Sequence, residues 1–391
     1  MADTEIGIGK SGRRAYGFDE IAIVPSRRTR DPEDVSTGWD IDAYRFELPV
    51  LASAMDSVVS PATAVRIGQL GGLAVLNLEG LWTRYDDPEP LLAEIARLAD
   101  DADGAATRRM QEVYAEPIKA ELIRARIKQV RDAGVTVAAS LTPQRTVRFH
   151  DVVIDSGVDL FVIQGPVVSA EHVSSRSEPL NLKRFIADLD VPVIVGGCAT
   201  YMGALHLMRT GAAGVLVGVG PGQADNVRGV LGIGVPMATA VADAAGARRD
   251  YLDESGGRYV HVIADGGMRT GGDVAKAVAC GADAVMLGSP LARAVEAPGG
   301  GWHWGMEAVH RDLPLGARVR VGTVGTLEEV LRGPARIDDG TTNLVGALRA
   351  SMATTGYSSL KEFQRVEVMV APAVRTEGKA LQRAQGVGIG R

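Results

Sequence analysis

The stretch YVHVIADGGMRTGGDVAKAVACGADAVMLGS, residues 259–289, contains two short apolar runs separated by a segment of helix length. The runs at 259–267 and 284–289 do not alternate apolar and polar residues, a pattern typical of parallel strands buried on both faces. Between them, Asp273–Cys280 has helical spacing and ends before Gly281, as a helix with a glycine C-cap does. The stretch therefore predicts a strand–helix–strand unit of a parallel sheet.

Six further apolar runs of the same kind precede this unit, and segments with helical spacing such as Ala199–Thr210 lie between most of them. Eight strands alternating with helices predict an α/β fold, the (β/α)8 TIM barrel, with an open doubly wound sheet as the alternative. In such a barrel functional residues follow the strand ends, and phosphate binds after strands seven and eight. The six runs are PVLASA (49–54), LAVLNL (73–78), VTVAAS (135–140), LFVIQ (160–164), VPVIVGG (191–197) and VLVGVG (215–220).

Composition restricts the class of protein. The 391 residues include 42 basic and 48 acidic ones, and the net charge of −6 gives no support for nucleic-acid binding. Two cysteines exclude a disulfide framework and fit a reducing cytoplasm. No stretch of about 18 apolar residues and no apolar signal core appears. We therefore expect a cytoplasmic protein with no membrane partner, no nucleic-acid partner and no metal site.

Residues 1–370 are predicted to form a single barrel domain with two irregular stretches. Residues 79–134 are charged and contain LLAEIARL and IKAELIRARIKQV at helical period, which predicts a helical insertion that serves as a packing or subunit-contact surface. Residues 290–345 are rich in Gly and Pro and too long for a plain connection, which predicts an extended, mobile lid after strand eight. Residues 371–391 have little apolar content and are predicted to be a disordered tail.

Several segments, in order, resemble the IMP dehydrogenase/GMP reductase family of (β/α)8 enzymes, and the resemblance covers roughly residues 10–370. The pattern is closest to the actinobacterial branch usually labelled IMP dehydrogenase-related, which lacks the family's regulatory nucleotide-binding modules. Residues 79–134 occupy the position of those modules and are too few and too helical to form them. The matching segments are YGFDEIAIVPS (16–26), SAMDSVV (53–59), GVGPG (218–222), VIADGGMRTGGD (262–273), MLGSPLA (286–292) and TTGYSSLKEFQ (354–364).

The resemblance assigns ribose and phosphate contacts to the ends of strands seven and eight. Asp265 would accept hydrogen bonds from both ribose hydroxyls, and the N–H groups of Gly266 and Gly267 would hold phosphate oxygens. Gly288 would let the backbone approach the phosphate, and Ser289 would add a hydroxyl donor. The alternatives are a tight turn with Asp265 as a helix cap and a simple loop glycine at 288.

The purine contacts implied by the resemblance lie at strand one and in the lid. Ser53 and Met55 would contact the nucleotide, Met55 against the purine face, although a buried methionine on a barrel is more often part of the core. Gly305 and Met306 resemble a segment that reaches the purine edge. Glu307 follows them as a candidate proton donor or acceptor, with an exposed lid glutamate of no function as the alternative.

The dinucleotide contacts differ from the family pattern. Gln164 and Gly165 follow strand four, where the family usually has an Asp-containing segment, and the carboxylate is absent here. Together with Gly218 they are the predicted contacts of NADPH or NADH. Cys198 and Cys280 are the only thiols and are interpreted as small apolar fillers.

The loop GVGPGQADNVR, residues 218–228, departs from the family pattern Gly-x-Gly-x-Gly-Ser-x-Cys-Thr-Thr-Arg. The family's phosphate-binding serine is Gln223, and its nucleophilic cysteine is Asp225. Because neither cysteine lies on this loop and a carboxylate is a far weaker nucleophile, covalent thiolate catalysis at the usual place is excluded. The matching positions are Gly218, Gly220, Gly222 and Arg228.

Asp225 can act in three ways. Beside a phosphate dianion its pKa would be raised, so that it could serve as a general acid at purine N3 or at a departing amine while hydride is delivered directly to C2. It could instead exclude the usual substrate by repulsion and admit another. It could also mark a site that binds without turnover.

The resemblance, with Asp225 in place of the cysteine, implies an NAD(P)-dependent oxidoreductase acting at C2 of a purine or deazapurine nucleoside monophosphate in the GMP reductase direction, with Asp225 and Glu307 transferring protons. IMP dehydrogenases carry a water-activating arginine–tyrosine pair on the lid, and the absence of tyrosine from Pro290 to Gly340 favours reduction. The alternatives are oxidation of IMP to XMP and a non-catalytic regulatory paralogue that binds purine nucleotides. Because family members are typically tetramers, a homotetramer is expected.

Overall fold

The computed structural model describes residues 3–99, 104–175 and 178–390. Eight parallel strands form a closed barrel in chain order, and the last strand pairs with the first. They are the eight strands predicted from the apolar runs, so the (β/α)8 barrel is confirmed. The strands are β1 (Val50–Ala52), β2 (Leu73–Asn77), β3 (Ala138–Leu141), β4 (Leu160–Gln164), β5 (Val193–Cys198), β6 (Gly214–Val217), β7 (His261–Asp265) and β8 (Ala284–Leu287).

Burial explains the continuous apolar runs. Every barrel-strand residue is buried except Gln164, His261 and Asp265, because helices cover the outer face of the sheet and packed side chains fill the interior. Gln164 and Asp265 are the last residues of β4 and β7, so these half-buried polar side chains at the carboxyl ends mark where a ligand can reach the barrel.

Helices surround the barrel and add short extensions. Among the helices of the described ranges, none combines the length and apolar character that crossing a membrane requires. The helices are α1 (Pro61–Gln69), α2 (Glu89–Arg97), α3 (Ala105–Val113), α4 (Ala120–Asp132), α5 (Pro143–Asp155), α6 (Leu182–Ala187), α7 (Tyr201–Met208), α8 (Val227–Leu231), α9 (Met237–Glu254), α10 (Gly271–Ala279), α11 (Ser289–Ala292), α12 (Leu327–Leu331), α13 (Leu344–Thr354), α14 (Leu360–Phe363) and α15 (Ala380–Gln385).

Capping side chains set the helix boundaries more sharply than spacing predicts. The helix predicted at 199–210 is α7, which begins after Thr200 because that hydroxyl accepts an amide hydrogen bond from the first turn. The helix predicted at 273–280 is α10, which starts two residues earlier. There Thr270 and Asp273 form a reciprocal capping box, each side chain accepting the other's backbone N–H.

Short elements outside the barrel form two local hairpins and two pairings between segments that are farther apart in the chain. Antiparallel pairs join Asp3–Gly7 to Lys10–Arg13, Trp39–Ile41 to Tyr44–Phe46, Trp302–His303 to Val319–Arg320, and Ile21–Ile23 to Val368–Val370. Single 3-10 turns lie at Phe18–Glu20, Pro32–Asp34, Leu81–Thr83, Met306–Val309 and Gly388–Gly390.

The predicted insertion (79–134) and lid (290–345) pack against each other. The side chain of Trp304, in the lid region, is fully buried, and its Nε1 donates a 2.9 Å hydrogen bond to the hydroxyl of Tyr114 in the insertion. The insertion therefore serves as a packing surface, and subunit contact through it remains a prediction. The two segments share a hydrophobic core, separate from the barrel core, built from Leu81, Leu92, Ile95, Met110, Val113, Tyr114, Trp304 and Ala308.

The prediction of a disordered tail is corrected for residues 371–390. Ala371 N donates to Glu20 O (2.8 Å), helix α15 follows, and Gly388 N donates to a carboxylate oxygen of Asp338 (3.2 Å). Low apolar content does not exclude such structure, because these contacts are made by backbone N–H groups and need no apolar side chain. Residue 391 lies outside the described residues.

The amino-terminal end of the barrel is held by a buried charged cluster around Asp283. Its carboxylate accepts from Arg248 Nη1 (2.6 Å), Lys361 Nζ (2.6 Å) and the Tyr259 hydroxyl (2.8 Å), and also from Val262 N (2.9 Å). Burial alone would raise the pKa of Asp283, but Arg248 and Lys361 outweigh it and lower the pKa to about 2. This cluster lies opposite the functional end, and we interpret it as structural.

Candidate active site

A cavity of about 440 Å³ opens at the carboxyl-terminal ends of the barrel strands, and this volume is typical of sites for small molecules. All the predicted site residues line it except Gly305. Gly305 lies behind the cavity lining. A Cβ at this position would lie only 2.6 Å from Glu307 Oε2 and 2.9 Å from Met55 Cε, so no side chain fits there without a shift of these groups. The lining residues predicted from the sequence are Ser53, Met55, Gln164, Gly165, Gly218, Gly220, Gly222, Gln223, Asp225, Asp265, Gly266, Gly267, Gly288, Ser289, Met306 and Glu307.

The glycines of the 218–228 loop allow it to approach strand β7. A Cβ at Gly218 would lie 2.2 Å from the carbonyl oxygen of Asp265, so no side chain fits there. Gly220 has φ of +64°, a conformation that residues other than glycine rarely adopt. These two glycines bring the loop, with Asp225, to the cavity that Asp265 lines.

The lid region closes over this loop through backbone pairing. Asp225 forms a β-bridge with Gly316, and Asn226 N donates to Leu315 O at 2.7 Å. Leu315 N donates in turn to Glu307 O at 2.9 Å. The candidate proton donors Asp225 and Glu307 are therefore held by the same short backbone network, although they are separated by about eighty residues in the chain.

Three carboxyl groups in the cavity have raised pKa values. Burial raises the pKa of Asp225, although the hydrogen bond from Val227 N and the charge of Arg228 oppose the rise. Burial also raises the pKa of Glu307, and the carboxylates of Asp225 and Glu79 raise it further. Burial, Glu307 and Asp225 together raise the pKa of Asp265 to about 7. The rise at Asp225 comes from burial, whereas the predicted effect of a nearby phosphate dianion stays a prediction. Near neutral pH Asp265 can therefore hold and release a proton.

Asp225 and Asp265 also make local hydrogen bonds. Asp225 Oδ1 accepts from Val227 N at 2.7 Å, at the start of α8. Asp265 Oδ2 accepts from Gln164 Nε2 at 3.1 Å. Gln164, predicted to contact the dinucleotide, is therefore engaged with the carboxylate predicted to bind ribose.

The structure disagrees with one of the predicted phosphate contacts, the one at Gly266. Gly266 and Gly267 both have φ of +76°, and both line the cavity. The N–H of Gly266, however, donates to Met286 O at 3.1 Å within the barrel, so it is not free to hold a phosphate oxygen. Gly267, Gly288 and Ser289 remain the candidates at this end.

Sequence reasoning missed several cavity residues. Those at the ends of β2 and β3 could have been found, because the barrel rule that located Asp265 applies equally to every strand end. His303 lines the cavity with Nδ1 3.1 Å from Ser57 Oγ, and burial lowers the pKa of His303 to about 4, so its ring is neutral. The missed residues with polar side chains are Asp19, Asn77, Glu79, Ser140, Thr142, Arg269, Asp273, His303 and Arg375.

Comparison with known proteins identifies the family. Residues 15–307 match the family model described as the IMP dehydrogenase/GMP reductase domain. The chain belongs to the IMP dehydrogenase/GMP reductase family.

Relatives of this family member come from several organisms. An uncharacterized oxidoreductase of Mycobacterium tuberculosis is 54% identical over 371 residues, covering 94% of this chain and 99% of that protein. The inosine-5'-monophosphate dehydrogenase of Methanocaldococcus jannaschii is 25% identical over 475 residues, covering 93% and 94%. The crystal structure of an IMP dehydrogenase/GMP reductase-like protein from Corynebacterium glutamicum superposes with a TM-score of 0.90 at 49% identity, covering 94% and 97%. The mycobacterial and corynebacterial sources fit the predicted actinobacterial branch.

The two thiols of this family member lie away from the cavity. Cys198 is buried in β5 and Cys280 follows α10, and neither lines the cavity. Burial raises the pKa of each thiol to about 12, so both are protonated at neutral pH. A packing role fits both residues.

Proposed function

We propose that the protein is a nicotinamide-dependent oxidoreductase that removes the 2-amino group of a purine nucleoside monophosphate reductively, as in the conversion of GMP to IMP. The observation that carries this proposal is the grouping of Asp225, Glu307 and Asp265, all with raised pKa values, in one cavity with a glycine-lined end. A reaction that consumes protons needs such groups, and a phosphate needs such glycines.

The nucleotide is proposed to lie across the cavity. Ionised Asp265 accepts hydrogen bonds from the ribose hydroxyls. Gly267, Gly288 and Ser289 receive the 5′-phosphate, and the remaining glycines and Gln223 of the 218–228 loop flank it. Ser53, Met55 and Met306 contact the base, with Gly305 behind them.

The residues fit a planar nicotinamide ring. The cavity wall is free of side chains at Gly165 and Gly222, where an added Cβ would meet its nearest neighbour only at 3.6 Å and 3.9 Å. Gln164, Gly165 and Gly218 are proposed to hold NADPH or NADH here. When bound, the reduced cofactor supplies a hydride.

The chain's own residues supply and receive the protons. As a hydride adds to C2 of the purine and reduces it, Asp225 donates a proton to N3. Glu307 then protonates the 2-amino group, the C2–N bond breaks, and ammonia leaves as the N3 proton returns to Asp225. One hydride and one proton replace the amino group, and solvent provides the second proton that converts ammonia to ammonium.

Oxidation of IMP to XMP is less well supported. The described residues that line the cavity include no tyrosine, whereas the water-activating pair expected for that reaction contains one. The regulatory alternative has one specific observation in its favour, because the hydrogen bond from Val227 N to Asp225 gives this residue a structural role without catalysis. Assembly as a homotetramer is also proposed, from the family's usual state.

The test is a turnover assay with a matched pair of variants. The purified protein is incubated with GMP and NADPH or NADH, and with IMP and the oxidised cofactors, while nicotinamide absorbance and ammonium release are followed. Asp225→Asn keeps an oxygen that can accept from Val227 N but has no acidic proton. We expect it to lower kcat by about 10²- to 10⁴-fold with an unchanged unfolding temperature, whereas Cys280→Ser retains activity.

Each other result has a defined meaning. Turnover of IMP but not GMP would assign the oxidative reaction. Calorimetric binding of GMP without turnover of either nucleotide would assign the regulatory role. Full activity of Asp225→Asn would remove Asp225 from the mechanism.

A further inference from the structure

The carboxyl-terminal segment brings a cation to the cavity. Val368–Val370 pairs antiparallel with Ile21–Ile23, and Ala371 N donates a hydrogen bond to Glu20 O. The carboxyl-terminal segment therefore runs alongside the amino-terminal segment that precedes β1. The turns that follow place Arg375 in the cavity wall, together with Asp19 from the amino-terminal segment.

Arg375 lies near the buried carboxylate of Asp273, but its N–H groups can still donate hydrogen bonds to a ligand. Its Nη1 lies 3.8 Å from Asp273 Oδ1, which is longer than a direct hydrogen bond. The other oxygen of Asp273 accepts from Arg269 N (3.1 Å) and Thr270 N (3.3 Å) at the start of α10. A guanidinium has five N–H donors, and this side chain is 29% exposed, so it can meet a ligand.

The charge of the cavity makes this cation significant for an anionic ligand. Asp273 stands in the first turn of the helix that follows Gly267, so its buried charge would repel a phosphate dianion bound beside that glycine. Arg375 places a cation against Asp273 at the cavity wall. The cavity wall carries the acidic residues Asp19, Glu79, Asp225, Asp265, Asp273 and Glu307, and the basic residues Arg269 and Arg375.

We propose that Arg375 binds the 5′-phosphate of the nucleotide, so that the carboxyl-terminal segment makes the site selective for the monophosphate over the free nucleoside. The inference rests on the proposed function in taking a purine nucleoside monophosphate as the ligand. A planar guanidinium pairs with phosphate through two parallel N–H···O bonds. The guanidinium also supplies a positive charge. Gln223, which occupies the position of the family's phosphate-binding serine, is uncharged and cannot supply one.

The test measures binding and not turnover. Isothermal calorimetry of the full chain with GMP, guanosine and inorganic phosphate compares wild type with Arg375→Ala and Arg375→Lys. We expect Arg375→Ala to weaken GMP binding by about 10- to 100-fold and to abolish phosphate binding, while guanosine affinity stays unchanged. The GMP affinity of Arg375→Lys should lie between those of wild type and Arg375→Ala, because an ammonium keeps the positive charge but lacks the planar pair of N–H donors. Arg383→Ala, an exposed arginine in the same segment that does not line the cavity, is the matched control.

Two results would overturn the proposal: unchanged GMP affinity in Arg375→Ala, or an equal loss for GMP and guanosine. Thermal unfolding of each variant separates loss of binding from loss of folding, and Arg375→Gln, which keeps the side-chain length, replaces an alanine variant that does not fold. If wild type binds GMP but does not turn it over, the proposed oxidoreductase activity is wrong, and the binding comparison still tests whether Arg375 binds the phosphate. Wild type that binds no purine monophosphate would refute both.

Discussion

Gln164 donates a 3.1 Å hydrogen bond from Nε2 to Oδ2 of Asp265, joining the ends of two strands that are not neighbours in the barrel. A hydrogen bond to a carboxylate favours its ionised form, so this contact lowers the pKa of Asp265 while burial raises it. The balance leaves Asp265 with a pKa of about 7. Its charge therefore changes near neutral pH.

The first prediction concerns the pH dependence of nucleotide binding. Only ionised Asp265 can accept from both ribose hydroxyls, so GMP binding weakens as the pH falls through about 7. Gln164→Ala removes a bond to the charged form, so the pKa of Asp265 rises and the binding midpoint moves to higher pH. Calorimetric Kd values across neutrality measure the midpoint, and the exposed Gln144→Ala is the control. An unmoved midpoint would show that Asp265 does not control binding.

The second prediction concerns the proton supplied by Glu307. Burial and Asp225 raise the pKa of Glu307 above its ordinary value, so the group is protonated over a wider range and kcat falls as the pH rises past that pKa. Glu307→Gln should lower kcat by about 10²- to 10⁴-fold and remove this decline, while KM for GMP changes little. A pH–rate profile is the measurement, with Glu112→Gln on the exposed insertion surface as control. Retention of the decline in Glu307→Gln would assign it to another group.

The third prediction concerns the pairing of Gly316 with Asp225. A Cβ at 316 would lie 2.8 Å from Ala224 O and 3.0 Å from Ala308 N, so Gly316→Ala forces the lid away from the loop. We expect faster proteolysis within 290–345 and a lower kcat, while the barrel still unfolds cooperatively. Gly229→Ala is the control, because nothing lies within 4 Å of a Cβ there. Protease resistance equal to wild type would mean that the lid does not depend on this contact.

The fourth prediction concerns stability at the opposite end of the barrel. Asp283→Asn leaves Arg248 and Lys361 without their buried carboxylate and should cost about 3–5 kcal/mol in the free energy of unfolding. Since the pKa of Asp283 falls from 3.8 to about 2 on folding, wild type holds this stabilisation above pH 3.8 and loses it as the pH falls through about 2. The difference between wild type and variant should therefore shrink in acid.

Urea unfolding at neutral and acidic pH measures this difference. Glu254→Gln, which breaks an exposed pair with Arg209, is the control and should change stability little. GMP affinity should be unaffected in Asp283→Asn. A loss of affinity in the folded variant would contradict the structural interpretation of this cluster.

The sequence by itself determined the barrel and the residues that follow several of its strands. Buried parallel strands need continuous apolar runs, and chain order places each strand end at one mouth, so Ser53, Asp265 and Ser289 could be located without coordinates. The absence of cysteine from the 218–228 loop was equally a matter of sequence.

Only the tertiary structure decided the contacts between distant segments. The bond from Gly266 N to Met286, the shared core of insertion and lid around Trp304, and the position of Arg375 leave no periodic signal in the sequence. The pKa of about 7 at Asp265 likewise depends on burial and on the approach of Glu307 and other groups. Periodicity reports which face of an element is apolar, whereas hydrogen bonds and charge interactions depend on which elements meet after folding.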